Sequence, residues 1–241
     1  MRALVLAALM LPLSACHTSA EDDGPGIAAQ GSGTQRSFTV SDFSKIEAAG
    51  ADDVDVRVGS TYSVRAEGSA AALDDLRIDK KDNTLEIGRR HKGMGLRNHD
   101  KVKLFVTLPR LEGASVAGSG TVAVDRVEGT AFSAQVAGSG TLHVVNLAVD
   151  RVSADVAGSG DFKAAGTAKA LDVNIAGSGN IDAPGLTAGT ASVSIAGSGG
   201  VRATVNGTAS VEIMGSGDVD LGPKARCTTS KLGSGSVRCG G

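Results

Sequence analysis

The sequence predicts an all-β protein. Its main body reads as a parallel β-helix of about 18–20 residues per coil, entered through an N-terminal β-meander continuous with the stack. Three observations carry this reading. Gly-Ser-Gly recurs at Gly118, Gly138, Gly158, Gly177, Gly197, Gly215 and Gly233, with spacings of 20, 20, 19, 20, 18 and 18 residues. The flanks recur with it, as SVAGSGTVAV, QVAGSGTLHV, DVAGSGDFKA, NIAGSGNIDA and SIAGSGGVRA. Between triplets the apolar residues alternate with polar ones, which is the period of a strand. The apolar set is mostly Ala, Val, Ile and Leu, and small branched side chains fit the narrow bore of stacked coils. The alternative is an antiparallel β-sandwich or prism in which each period is a hairpin. Such a core, about 10 Å thick, needs large aromatics, and the chain has none from Lys163 onward.

Taken in order, residues 1–15 read as a lipoprotein signal peptide. Arg2 supplies the positive start, and the apolar run Ala3–Leu13 is too short for the roughly 20 residues of a membrane-spanning helix. Leu13-Ser14-Ala15-Cys16 matches a lipobox, so the Cys16 thiol is expected to carry a diacylglycerol. The plainer alternative is ordinary secretory cleavage. With His17 rather than Asp after the cysteine, the expected address is the cell envelope, as an outer-membrane lipoprotein held by its acyl chains. Residues 16–36 are polar, Gly-rich and aperiodic, as in a flexible tether. Gly31-Ser32-Gly33 belongs to this tether and not to the repeats.

The domain proper is expected over 37–241, with the repeats at 116–239. Val54, Val56 and Val58 alternate, Gly59-Ser60 turns, and Tyr62, Val64 and Ala66 alternate back, which reads as a hairpin. Ala70 to Leu76 fits one helical turn. Leu85-Glu86-Ile87 follows a turn at Asn83, and Val102, Leu104, Val106 and Leu108 form a strand ending at Pro109. Within each repeat a second corner recurs, as at Gly129, Gly166, Gly189 and Gly207, so each unit holds two or three short strands. An exported chain meets an oxidising compartment, so Cys227 and Cys239 are expected to pair.

Composition excludes several functions. The chain has too much Val, Ile and Leu for disorder and lacks the glycine period of collagen. With 24 Lys+Arg against 26 Asp+Glu, no nucleic-acid partner is implied. Phosphate loops need a helix after the glycines, and strands follow these. A calcium roll needs a carboxylate in every coil, but the residue after the triplet runs Thr121, Thr141, Asp161, Asn180, Gly200, Asp218, Ser236. Neither a metal nor a cofactor is expected.

The order of these pieces resembles the auto-transporter adhesin, head GIN domain family. The likeness rests on Phe43-Ser44-Lys45-Ile46, DVDVRVG, YSVRAEG, KVKLFVTLPRLEGASVAGSGTV, the serial triplets and the closing CTTSKLGSGSVRC. It implies a right-handed parallel β-helix, export to the envelope, frequent lipoprotein anchoring and no established catalytic activity. No membrane barrel follows the repeats, so self-translocation is not expected.

Candidate functional residues are few. Carboxylate groupings at Asp52, Asp53 and Asp55, or Asp155 with Asp172, would suit a carbohydrate-active enzyme; the simpler reading is the wet face of strands. His143 alternates with Leu142 and Val144 and is expected to point outward. A basic run, Arg89, Arg90 and Lys92 through Arg97, Lys101 and Lys103, with His91 and His99, meets a single acid, Asp100. It could dock on lipid phosphates or an anionic glycan, or be an exposed loop. The expected function is a non-enzymatic envelope lipoprotein that binds or scaffolds: an adhesin, with a glycan, surface or envelope protein as partner, or a periplasmic structural protein.

Overall fold

A computed structural model describes residue 24 and residues 26–90 and 100–240. In chain order the elements are β1 (Ala29–Gln30), β2 (Gln35–Phe38), β3 (Lys45–Gly50), β4 (Asp53–Val58), β5 (Ser63–Glu67), α1 (Ala70–Asp75), β6 (Leu76–Lys81), β7 (Thr84–Arg89), β8 (Lys103–Leu108) and β9 (Gly113–Gly118). Then come β10 (Thr121–Gly138), β11 (Thr141–Gly158), β12 (Asp161–Gly177), β13 (Asn180–Gly197), β14 (Gly200–Val205), β15 (Thr208–Gly215), β16 (Asp218–Asp220), β17 (Arg226–Leu232) and β18 (Ser236–Arg238).

From β10 onward every strand pairs in parallel with the equivalent strand one coil away. The result is a β-solenoid of about six turns, matching the parallel β-helix. Register follows the glycines: Gly118, Gly138, Gly158, Gly177, Gly197 and Gly215 lie over one another. The two glycines of each triplet have different reasons to be glycine. The first has φ between +110° and +137° in every repeat, a region that L side chains avoid. The second is crowded instead: a Cβ on Gly140 would lie 2.6 Å from the carbonyl oxygen of Gly120. The serine between them is exposed, and its N–H donates to the preceding corner, as Ser139 N to Gly118 O at 2.8 Å.

Each coil has two long faces. The first face follows the triplet and the third precedes the next one; a short second segment joins them. Strands β10–β13 run continuously for 17 or 18 residues and bend at the second corner, where two or three separate strands were expected. The unequal spacings are absorbed just before that corner, where the register shifts between Val144 and Leu147 and between Ala183 and Thr187. The expected second-corner glycines do not form one column, since Gly129 stacks on Val149 while Gly166 stacks on Leu147 and Leu186. Inward residues form ladders such as Val136, Val156, Ile175, Ile195 and Ile213, all buried. Phe132 and Phe162 are buried in the same core.

The N-terminal part departs from a meander. Strands β3 and β4 already form a coil, with Gly50-Ala51-Asp52 as its corner, and β9 stacks on β3 while β10 stacks on β4. The corner column therefore begins at Gly50, where φ is +117°. The hairpin expected between 54–58 and 62–66 does not form. Strand β8 lies between the two, parallel to β4 and antiparallel to β5. Stacking β4 into the solenoid commits both its edges to parallel neighbours, which leaves none for β5. Antiparallel strands close this end: β1–β2–β5 on the first face and the β6–β7 hairpin, turning at Asp82 (φ 52°), on the third. The single helical turn α1 is capped by Ser69 Oγ, which accepts from Ala72 N–H. The expected tether is docked in its second half: Ile27 N–H donates to Ile78 O, and Gly31-Ser32-Gly33 lies between the paired β1 and β2.

Candidate binding surfaces

The basic run is divided by the structure. Arg89 bonds Asp52 with two guanidinium nitrogens (Nε to Oδ2 at 2.7 Å), and it also donates to the carbonyls of Ala72 and Asp100. Asp52, 5% exposed, accepts from Val102 N–H as well. The Asp52 hydrogen bond is the main cause that raises the Arg89 pKa, and burial acts against it. This pair knots the first corner to α1, β7 and β8. Removing one partner of such a pair is expected to cost about 3–5 kcal/mol. Lys101 pairs with Asp53 at 3.4 Å and Lys103 with Asp55 at 3.0 Å, and Lys103 and Arg65 both sit over the Phe105 ring. Arg90 is exposed, whereas His91, Lys92, Arg97 and His99 lie outside the described residues, as does Cys16. The single acid of the linear run is thus joined in space by Asp52, Asp53 and Asp55, from a rung some fifty residues earlier, and by Asp75, which acts on Arg89.

The other carboxylates point outward. Asp155 accepts from Asn174 Nδ2 at 2.8 Å, and Asp172 lies 3.8 Å from Arg151. His143 is exposed, as expected. Among the described residues no three His, Cys, Asp or Glu side chains converge as metal ligands. Cys227 and Cys239 form the disulfide across the last coil.

Two surfaces have the shape to receive something. On the third face Gln135, Asp155, Asn174 and Ser194 stack in one column, and Ala137, Ala157, Ala176 and Ala196 stack beside them. A shallow trough of about 440 Å³ runs along this pair of columns, with methyl groups as its floor and amide, carboxylate and hydroxyl groups as its wall. On the first face a depression of about 570 Å³ is centred on Gly200, where the column Asp161, Asn180, Gly200, Asp218, Ser236 loses its side chain. Hydrogen bonds from the Ser236 hydroxyl and then from its backbone N–H (3.1 Å) hold the Asp218 carboxyl below its usual pKa range. The repeat already aligns the first-face column, as the residue after each triplet, where the sequence is read only as lacking a calcium ladder; the third-face column of Gln135, Asp155, Asn174 and Ser194 follows no sequence motif.

Residues 42–223 match the family described as "Putative auto-transporter adhesin, head GIN domain". The chain belongs to this family. This head GIN protein is also similar in fold to a crystal structure of a "putative adhesin" from Bacteroides fragilis, with a TM-score of 0.77 and 23% identity over 89% of this chain and 98% of that one. A "putative lipid binding protein" from Parabacteroides distasonis gives 0.69 and 22%, covering 88% and 98%. A "putative adhesin" from Parabacteroides merdae gives 0.68 and 20%, covering 86% and 95%. At such identities the likeness is one of fold. No curated protein matches the sequence.

Proposed function

We propose that the protein is a lipid-anchored, non-enzymatic binding module of the cell envelope, attached through Cys16 at the outer membrane, and that its third face contacts hydroxyl-rich glycan. The trough carries this reading. Its wall offers both donors and acceptors at the rung spacing of about 4.8 Å, and its alanine floor suits the C–H face of a sugar ring. The side chains are short and held in register, so little conformational entropy is lost on contact. Affinity per rung is low and accumulates over several rungs. The carboxylates that an enzyme would use are tied instead to amides or cations, as Asp155 to Asn174 and Asp55 to Lys103.

The test has two arms. Glycan binding by the purified protein is expected to fall at least tenfold in Asp155→Ala/Asn174→Ala and in Ala157→Phe, which fills the trough, with the thermal melt unchanged. Binding that survives both removes the third face from the proposal. In cells, Cys16→Ser is expected to move the protein from the membrane to the soluble fraction. Protease treatment of intact cells separates a surface adhesin, which is cut, from a periplasmic scaffold, which is protected.

A further inference from the structure

We propose that the C-terminal half of the first face is a self-association surface, which takes a second copy of this chain in antiparallel orientation. Two residues beyond the column interrupted at Gly200 runs a second one: Lys163, Asp182, Arg202, Asp220, Arg238, one per coil. The charge alternates at every rung. None of these five makes a salt bridge within 4.0 Å among the described residues, although pairs elsewhere on the rod do, such as Lys169 with Asp150 at 2.7 Å. Among the described residues Asp220 accepts the Gly222 N–H, at 3.1 Å, and pairs with no cation.

An alternating column is complementary to itself under one kind of operation. A parallel mate sets each charge against its own kind. A two-fold axis lying along the strands reverses the order of rungs while keeping each column opposite its own copy. Placed on a rung, that axis again opposes like charges, Arg202 to Arg202. Placed between the Asn180 and Gly200 rungs, it sets Asp161 against the partner copy's Asp218. Placed between the Gly200 and Asp218 rungs, it opposes Asp182 to Arg238 and Arg202 to Asp220, each twice. The neighbouring column agrees with that choice. Asn180 then faces Ser236, and Asp218, which leans toward its next rung to accept from Ser236, faces Gly200. The missing side chain at Gly200, which only the Asn180 amide oxygen overhangs from the rung before, leaves room for the other copy's Asp218.

Four rungs of a flat face make a small interface, in the range of transient contacts. Molecules tethered to one membrane meet at a raised effective concentration, which such a contact exploits. This inference uses the first face and is independent of glycan binding on the third.

The test is sedimentation velocity over a concentration series in low salt, with the full chain carrying Cys16→Ser. A concentration-dependent dimer is expected, weakened by added salt. Arg202→Asp and Asp220→Arg alone are each expected to weaken it at least tenfold. The double variant Arg202→Asp/Asp220→Arg is expected to return to within about threefold of the natural protein, because both opposed pairs are restored with reversed sign. Gly200→Gln, at a position without positive φ, fills the seat of Asp218 and is expected to abolish the dimer with an unchanged melt. A monomer at all concentrations, or a dimer indifferent to these changes, overturns the proposal. So does failure of the double variant to recover while its melt is intact.

Discussion

A β-carbon at Gly158 would meet the carbonyl oxygen of Gly138 at 2.5 Å, and the backbone there holds φ at +117°. Gly158→Ala therefore has two costs, a backbone forced into the left-handed region and a clash with the coil below. A loss of about 1–3 kcal/mol is expected from the backbone alone. Gly200→Ala, without positive φ, serves as its control, and urea midpoints compare the two. Asp218 gives a pH signature at the same scale. Its folded pKa is lowered, so the stabilisation from Ser236 is present above the ordinary aspartate range and is lost as pH falls through the lower folded value. The stability difference between the natural protein and Ser236→Ala is thus expected to be flat above about pH 5 and to shrink below about pH 4, read by denaturation at each pH. Of these residues the triplet glycines announce themselves by recurrence. Asp52 does not: it stands where later coils have the second glycine, and its partner Arg89 is 37 residues away, a pairing that only the closed end of the rod creates.

At the scale of strands, local pattern identified the repeat strands and those at 54–58, 62–66, 85–87 and 102–108, but not β1, β2, β3 or β6, and not which strand neighbours which. Val54 to Val58 and Tyr62 to Ala66 alternate as expected, yet strand β8 separates them, because stacking on the next coil outcompetes the short turn at Gly59-Ser60. The earliest coil was legible in principle. Ala48-Ala49-Gly50 echoes the Val-Ala-Gly or Ile-Ala-Gly that leads into the first five triplets, and the echo fades only because Ala51-Asp52 replaces Ser-Gly. The last coil carries its own signal. Thr229 and Lys231 stand in register with the inward Val211 and Ile213, and Lys231 Nζ donates to Gly235 O at 2.7 Å. Polar residues at inward places end the apolar bore and guard an open strand edge. The disulfide ties this coil at both ends. Replacing both cysteines by serine is expected to cost about 3 kcal/mol, with lost amide-exchange protection confined to 226–238.

For the whole molecule, contacts run mainly between adjacent coils, so stability is close to a sum over neighbours. Deleting residues 139–158 joins Gly138 to Ser159 and leaves every register equivalent. The shortened protein is expected to fold, with one strand layer of about 4.8 Å removed; its circular dichroism and radius of gyration check this. The architecture was legible because one period dominates the chain. The antiparallel closure of the N-terminal end was not, since β1, β2 and β5–β7 occur once and obey no repeat. The third-face trough was hidden for the opposite reason: each residue in it is unremarkable on its own strand, and the pattern exists only across coils, whereas the first-face column was already aligned by the triplets.

Between coils the backbone hydrogen bonds run along the long axis of the solenoid. A pull applied at its far tip would load those bonds one layer at a time, as in opening a zipper. A pull on the third face loads many layers side by side and is resisted by all of them together. Peeling from the tip has to begin at the coil that Cys227 and Cys239 staple shut, so the covalent bond stands at the weakest point of the rod under tension.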